Sequence, residues 1–295
     1  MIRNNWARFP GLQRLRESLS IAPVHWLAEQ KTMVLTETEK TEYQRRGFFV
    51  RYGTFSEKEC LVFREAAQRV EAQLLEKISD ATVGSITKEY RLDGNRFVDF
   101  NHVTVQLEHS AARDCLRVVE PVNDVEPIFD QLLDDPRLRE PMKRLVPSQH
   151  LALWTAKLNF KHPRVGSGFG WHQDAPYWIH DCDHVQQLPN VMVLFDDANA
   201  GNGCFRVIDG SHRAGCLPGC EDGRQLQGFY THPDCVDETA QVLIDAPAGS
   251  AIFFDPHIVH GSGPNESDNP RRAIIITYQP AGFAALKSGQ VREIR

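Results

Sequence analysis

The 295-residue chain has no run of 18 apolar residues, so no segment reads as a membrane-spanning helix. Basic residues are not in surplus. With 33 Lys and Arg against 39 Asp and Glu the net charge is −6, which argues against a nucleic-acid partner, because counterion release needs clustered cations. The seven cysteines are odd in number and include no Cys-x-x-Cys pair. That excludes a regular disulfide framework and points to free thiols in a reducing, cytoplasmic setting. No internal repeat, low-complexity tract or linker divides the chain. The first segment, MIRNNWARFPGLQRLRESL, lacks the apolar core of a secretory signal. Its four arginines and its stripe of Leu12, Leu15 and Leu19 could be read as an organellar transit peptide. Scarce serine, with Pro10 and Pro23, favours an arm over residues 1–35, packed on the domain or on a second subunit of a homo-oligomer.

The remainder, 36–295, reads as a single domain of the α+β class with a mainly β core, and 41% hydrophobic residues suffice to build it. Thr36-x-x-Glu39 and Ser56-x-x-Glu59 each predict a helix start with a reciprocal cap. Gly47 can end the first helix, FFVRY reads as a short strand, and further helices are expected across VEPIFDQLLDD and PRLREPMKRLV. From about residue 151 the period turns β-like, in LALWTAKLNF, VMVLFDD, CFRVIDGS, VLIDAPAGSAIFFD and RRAIIITYQP. Gly, Pro, Asn and Asp clusters such as NAGNG separate these runs as turns. The expected layout is helices first, then a β-sandwich or barrel.

In GSGFGWHQDAPYW, His172 and Asp174 stand two positions apart. Composition alone yields about 1.6 such His-x-acid pairs, and the chain has two, so the spacing proves nothing by itself. On a strand or its end, though, both side chains would share a face and could hold one metal ion. The best third ligand is His260, where the apolar run GSAIFFDPHIVH reaches a Gly-Ser-Gly turn. Two imidazoles and a carboxylate suit a non-haem Fe(II) with open positions, whereas structural zinc usually takes four protein ligands. Arg271 shares its parity with Ala273, Ile275 and Thr277, and an arginine on an apolar inner face needs an anion; a carboxylate matches its planar fork. The second pair, His232 and Asp234, lies in a polar loop broken by Pro233 and reads as surface structure. Cys204, Cys216, Cys220 and Cys235 lack zinc-site spacing, and Cys204 reads as a small buried residue.

LNFKHP…GWHQD, LFDDANAGNGCFRVIDGSHRAG and HGSGPNESDNPRRA, in that order, resemble the phytanoyl-CoA dioxygenase family of Fe(II)- and 2-oxoglutarate-dependent oxygenases, over roughly residues 37–282. The resemblance implies a double-stranded β-helix of jelly-roll type with helices outside it. It implies His172, Asp174 and His260 as iron ligands and Arg271 as the partner of the distal carboxylate of 2-oxoglutarate. Ser262 would donate to the same carboxylate, and Lys157 and Met192 match weaker co-substrate positions. Tyr177 and Trp178 are placed to wall the substrate side, and His212 would have a hydrogen-bonding role. Related halogenases replace the metal carboxylate by a small residue, so the presence of Asp174 favours hydroxylation.

The function the resemblance implies is therefore hydroxylation of a small organic metabolite with O2, releasing succinate and CO2. Desaturation, epoxidation or ring closure by the same machinery stays open, as does a non-catalytic barrel that binds metal or 2-oxoglutarate. Arg164 and Arg213 are too few to argue for a CoA phosphate site.

Overall fold

Both reciprocal caps form in the structure, a computed structural model that describes residues 33–80, 86–92, 94–109, 114–220 and 230–295. Thr36 caps α1 (Glu37–Arg46) and Ser56 caps α2 (Glu57–Ser79); each hydroxyl accepts the N–H of a glutamate that reaches back to the cap's own N–H. Gly47 ends α1 at φ 85°, the left-handed region that glycine tolerates, and the chain enters β1 (Phe48–Arg51). The expected arm over residues 1–35 lies outside the described residues except for its last three.

Four strands then precede the next helices: β2 (Lys88–Leu92), β3 (Asn95–Phe100), β4 (Val103–Leu107) and β5 (Leu116–Glu120). This corrects the expected layout, in which only the short FFVRY strand preceded residue 151. Each of the four is short and carries polar residues toward a half-covered face. In β4, buried Val103, Val105 and Leu107 alternate with partly exposed Thr104 and Gln106. The expected helices follow as α3 (Pro127–Leu132) and α4 (Pro136–Leu145), each with proline in its first turn behind an acidic cap.

The strands expected from residue 151 onward are present as β6 (Leu151–Asn159), β7 (Phe169–His172), β8 (Asn190–Leu194), β9 (Phe205–Ile208), β10 (Gln241–Leu243), β11 (Ala251–Phe254), β12 (His260–Ser262) and β13 (Ala273–Pro280). A short helix, α5 (Ala175–Trp178), follows β7. One sheet has the order β1-β11-β8-β13-β6-β5-β4-β3-β2 and the other β10-β9-β12-β7. The two face each other across a core that includes Phe48, Leu194, Ile252 and Phe254 from the large sheet and Phe205 and Val207 from the small one. This is the double-stranded β-helix, or jelly roll, with the helices on the outer face of the large sheet. There Phe195 lies 5.1 Å from Phe63 of α2 and stacks at 5.7 Å on Phe129 of α3. The Tyr278 hydroxyl donates to Leu133 O at 2.9 Å.

Register decides what the barrel interior contains. Ile275 of β13 pairs with Met192 on one side and Lys157 on the other, and Thr277 with Asn190 and Thr155. Because side chains alternate along a strand, these residues share the inner face.

The helical layer is pinned by Arg137. Its guanidinium forms a two-pronged bond to Asp135 (2.9 and 2.7 Å), donates to Glu59 at 2.8 Å and Thr54 O at 3.1 Å, and lies 4.1 Å over the Phe55 ring. Glu59 is also the capping-box residue of α2, so one cation ties two helix starts together. Arg137→Met leaves buried Asp135 without its cation and is expected to cost about 3–5 kcal/mol in urea unfolding. A loss under about 1 kcal/mol, the worth of an exposed pair, would show that the cluster is peripheral.

Candidate metal centre

Two of the expected donors are oriented by their own backbone. His172 ends β7, His260 opens β12, and the two residues are cross-strand partners with ring centroids 4.2 Å apart. In each ring Nδ1 faces the carbonyl of the residue two positions earlier, Gly170 at 2.8 Å and Ile258 at 3.0 Å. Nδ1–H donates to that oxygen, which leaves the Nε2 lone pair for a metal. Enclosure, then the neighbouring His260, push His172 down to about 3, so it is a neutral ligand at ordinary pH.

The third donor reaches them differently from expectation. Asp174 is not on the strand: β7 stops at His172, and Asp174 has helical φ −75° and ψ −37° at the start of α5. Pro176 lies in the first turn of that helix, and Ala175 N–H donates to Pro256 O at 2.9 Å, away from the sheet. A turn, not strand alternation, brings the carboxylate to the imidazoles. His260 likewise does not end the apolar strand β11, because Pro256 breaks that run and His260 starts the next strand. One donor atom each from His172, Asp174 and His260 lies within 4.8 Å of the others, and Asp174 Oδ2 is 4.0 Å from His260 Nε2. Asn190 Nδ2 donates to that Oδ2 at 2.9 Å, and Asn190 Oδ1 accepts from the Thr277 hydroxyl at 2.6 Å.

Arg271 sits two residues before β13 and is 3% exposed. Its Nη2 donates to Gly203 O at 2.8 Å, its buried Nε has no partner, and no carboxylate among the described residues pairs with it. Burial pushes the pKa of its guanidinium down to about 10, so the charge persists at neutral pH. A second buried basic group stands near it. Lys161 is backbone-paired with Arg271 at 3.1 and 3.0 Å, and its Nζ donates to Ser167 O at 2.7 Å and to Gly263 O. Burial, then Arg271 and Arg117, push its ammonium down to about 6. The two accepting glycines touch: Gly203 has φ +72°, and a Cβ there would meet Gly263 O at 2.3 Å. Ser262, buried and two residues after His260 on β12, is next to this contact.

Lys157 faces the interior from β6, with Nζ 3.9 Å from Glu120 and 5.3 Å over the Trp178 ring. Burial opposes its charge, but Glu120 and Asp174 outweigh it and raise the ammonium above its usual range. Met192 lies in the apolar core between the sheets. Tyr177 meets the His172 ring edge-on at 6.0 Å, while Trp178 is 2% exposed and packs on Trp154 and Leu188 behind it. His212 Nε2 is 3.1 Å from Gln44 O, and His232 and Asp234 are on the surface, 3.8 Å apart. Cys204 is a buried core residue. Sequence reasoning missed Lys161, Asn190 and Thr277 as parts of the site. The available signals were slight: a lysine continuing an apolar strand, and an asparagine opening Val-Met-Val-Leu.

Two imidazoles and one carboxylate, with no fourth ligand type in the group among the described residues, fit one ferrous ion that keeps open positions. The unpartnered Nε of a buried arginine fits a carboxylate ligand. A jelly roll with such a donor set inside it defines a class, the mononuclear metal-binding barrel. The family model Phytanoyl-CoA dioxygenase (PhyH) matches residues 43–273, and the chain belongs to that family. It is 32% identical over 139 residues to the L-proline trans-4-hydroxylase of Streptomyces griseoviridis, covering 41% of this chain and 52% of that protein. To the probable alpha-ketoglutarate-dependent hypophosphite dioxygenase of Stutzerimonas stutzeri it is 26% identical, covering 71% and 70%. To the ectoine dioxygenase of Bordetella bronchiseptica it is 28% identical, covering 56% and 58%. The chain thus spans 52% to 70% of the length of these relatives. Among solved structures, EctD from S. alaskensis with 2-oxoglutarate and 5-hydroxyectoine superposes with a TM-score of 0.63 at 20% identity, over 91% of this chain and 85% of that one. The carbocyclase SnoK from nogalamycin biosynthesis gives 0.61 at 18%, over 88% and 97%. At such identities the likeness establishes the shared fold.

Lys161 makes the stability of the ligand-free protein depend on pH. Its folded constant, about 6, lies below the ordinary 10.5, so between these values the unfolded chain holds the extra proton. The lysine's contribution is therefore full above the ordinary value and declines as pH falls toward 6. In urea unfolding at pH 6 to 9, the stability of the wild type minus that of Lys161→Met should rise with pH, whereas parallel curves would show that the amine stays charged.

Proposed function

We propose that the chain is a non-haem Fe(II)- and 2-oxoglutarate-dependent oxygenase that hydroxylates a small polar metabolite. The carrying observation is Arg271, a charged and buried guanidinium with an unpartnered Nε, in the same barrel as the His-Asp-His set. His172, Asp174 and His260 hold the iron. Arg271 and Ser262 take the distal carboxylate of 2-oxoglutarate, with Lys157 and Met192 on the co-substrate side. When bound, iron and 2-oxoglutarate supply the oxidising chemistry, in which O2 is consumed, 2-oxoglutarate becomes succinate and CO2, and a substrate C–H becomes C–OH.

The chain's own residues orient and exclude. The backbone-held imidazoles present Nε2, the fork of Arg271 sets the direction of the keto acid, and Tyr177, backed by buried Trp178, closes the substrate side against water. The substrate class follows from the inner face beside the donor set. Thr104, Gln106, Glu120 and Lys157 are polar and partly exposed there, which suits a compact polar molecule better than a fatty acyl chain. Proline, ectoine and hypophosphite, named for the relatives, are of that kind. The two arginines considered for a CoA phosphate are engaged elsewhere, Arg164 with Asp268 at 2.7 Å and Arg213 with Arg45 O.

Residues 36–295 serve as one catalytic domain in this reading. The compact unit 32–295 and the family match at 43–273 support it. The arm 1–35 is proposed as a subunit contact, and seven unpaired cysteines support a cytoplasmic location.

Anaerobic titration of the apoprotein with Fe(II) and then 2-oxoglutarate should produce the weak visible charge-transfer band of a chelated keto acid. Arg271→Ala should need roughly 10- to 100-fold more 2-oxoglutarate, the equivalent of about 1.5–3 kcal/mol for a hydrogen bond to a charged group. Absence of the band in folded, iron-loaded protein would replace this reading with a non-catalytic binding barrel. His172→Ala and Asp174→Ala should each abolish succinate formation, and activity surviving in both would overturn the ligand assignment.

A further inference from the structure

We infer that Asn190 and Thr277 are positioning residues for the metal carboxylate: a two-link relay that sets the rotation of Asp174 before a metal arrives. The inference rests on the His-Asp-His reading and extends it.

The three donors are not held alike. Each histidine is oriented by a carbonyl two residues back in its own chain, a contact that no side-chain substitution outside the ring can remove. Asp174 has no such hold. It precedes the four-residue helix α5, and its side chain makes no capping bond there. Its carboxylate is steered instead from across the barrel by Asn190, which opens β8.

Asn190 is 0% exposed and Thr277 is 1% exposed, both on the inner face of the large sheet and directly opposite in register. A primary amide in such surroundings is costly unless it is satisfied. Here both ends are used. An ionised carboxylate only accepts, so Asp174 takes the NH2 of Asn190, at 2.9 Å, and the amide oxygen is left facing Thr277. The Thr277 hydroxyl donates to that oxygen at 2.6 Å. Thr277 thereby holds the amide in the plane and place from which it meets the carboxylate. The donated hydrogen bond lowers the rotational freedom that metal binding would otherwise remove.

The test is Mn(II) binding to the apoprotein, read from the loss of the free-ion EPR signal, with apoprotein melting alongside. Asn190→Leu should weaken Mn(II) binding about 10- to 100-fold, the usual effect of losing an outer-shell partner. Thr277→Val should weaken it in the same direction by less, and Thr277→Ser, which keeps the hydroxyl, should restore wild-type affinity. Should Asn190→Leu fail to fold, the Thr277 pair decides alone. Wild-type Mn(II) affinity in Thr277→Val, whatever its melting temperature, would overturn the relay and leave a packing role. If the wild type itself binds no Mn(II), the metal reading fails and the relay falls with it.

Discussion

At one end of the barrel a buried guanidinium and a buried amine are held by backbone carbonyls and not by carboxylates. Arg271 donates to Gly203 O, Lys161 to Gly263 O and Ser167 O, and the two glycines are in backbone contact. A Cβ at Gly203 would collide with the carbonyl opposite, so the close approach that aligns these acceptors depends on glycine. Carbonyl dipoles offset part of the desolvation of a guanidinium but cannot neutralise it. The end of the barrel is thereby built to accept an anion, and the His-Asp-His set shares its interior with that demand.

Electrostatics change character along the inner face. Near the glycine contact, burial lowers both Lys161 and Arg271. Toward β5 and β6 burial opposes the ammonium of Lys157, but Glu120 and Asp174 support it. One wall thus leaves a positive charge without a carboxylate partner, while the other pairs its charges within the protein. This division matches two ligands of different chemistry on either side of one metal.

How far the site was legible depended on whether a residue's role was local. Capping boxes, the Gly47 stop and the long apolar strands after residue 151 were readable because propensity and pattern agree there. Strands β2 and β3 were not, because Lys88, Glu89, Arg91, Arg96 and Asp99 give them the polarity of loops, and β4 and β5 are only five residues each. The three metal-ligand candidates were found from motif order, yet the geometric reason first given for Asp174 was mistaken, since a turn and Pro176 place it. Asn190, Thr277 and Lys161 have meaning only through cross-strand register, which no single segment reveals.

Strand order also carries a consequence for assembly. β13, the last strand described, lies between β8 and β6, and β1 is completed only by β11, with Phe48 opposite Phe254. The large sheet closes only when β13 pairs with both β8 and β6, so its early strands depend on partners encoded far downstream. Such long-range closure is slow and leaves apolar surface uncovered on the nascent chain. Closure of the barrel therefore rests on pairings of long sequence separation, and the strand edges that await them are where an unfinished fold is open to association.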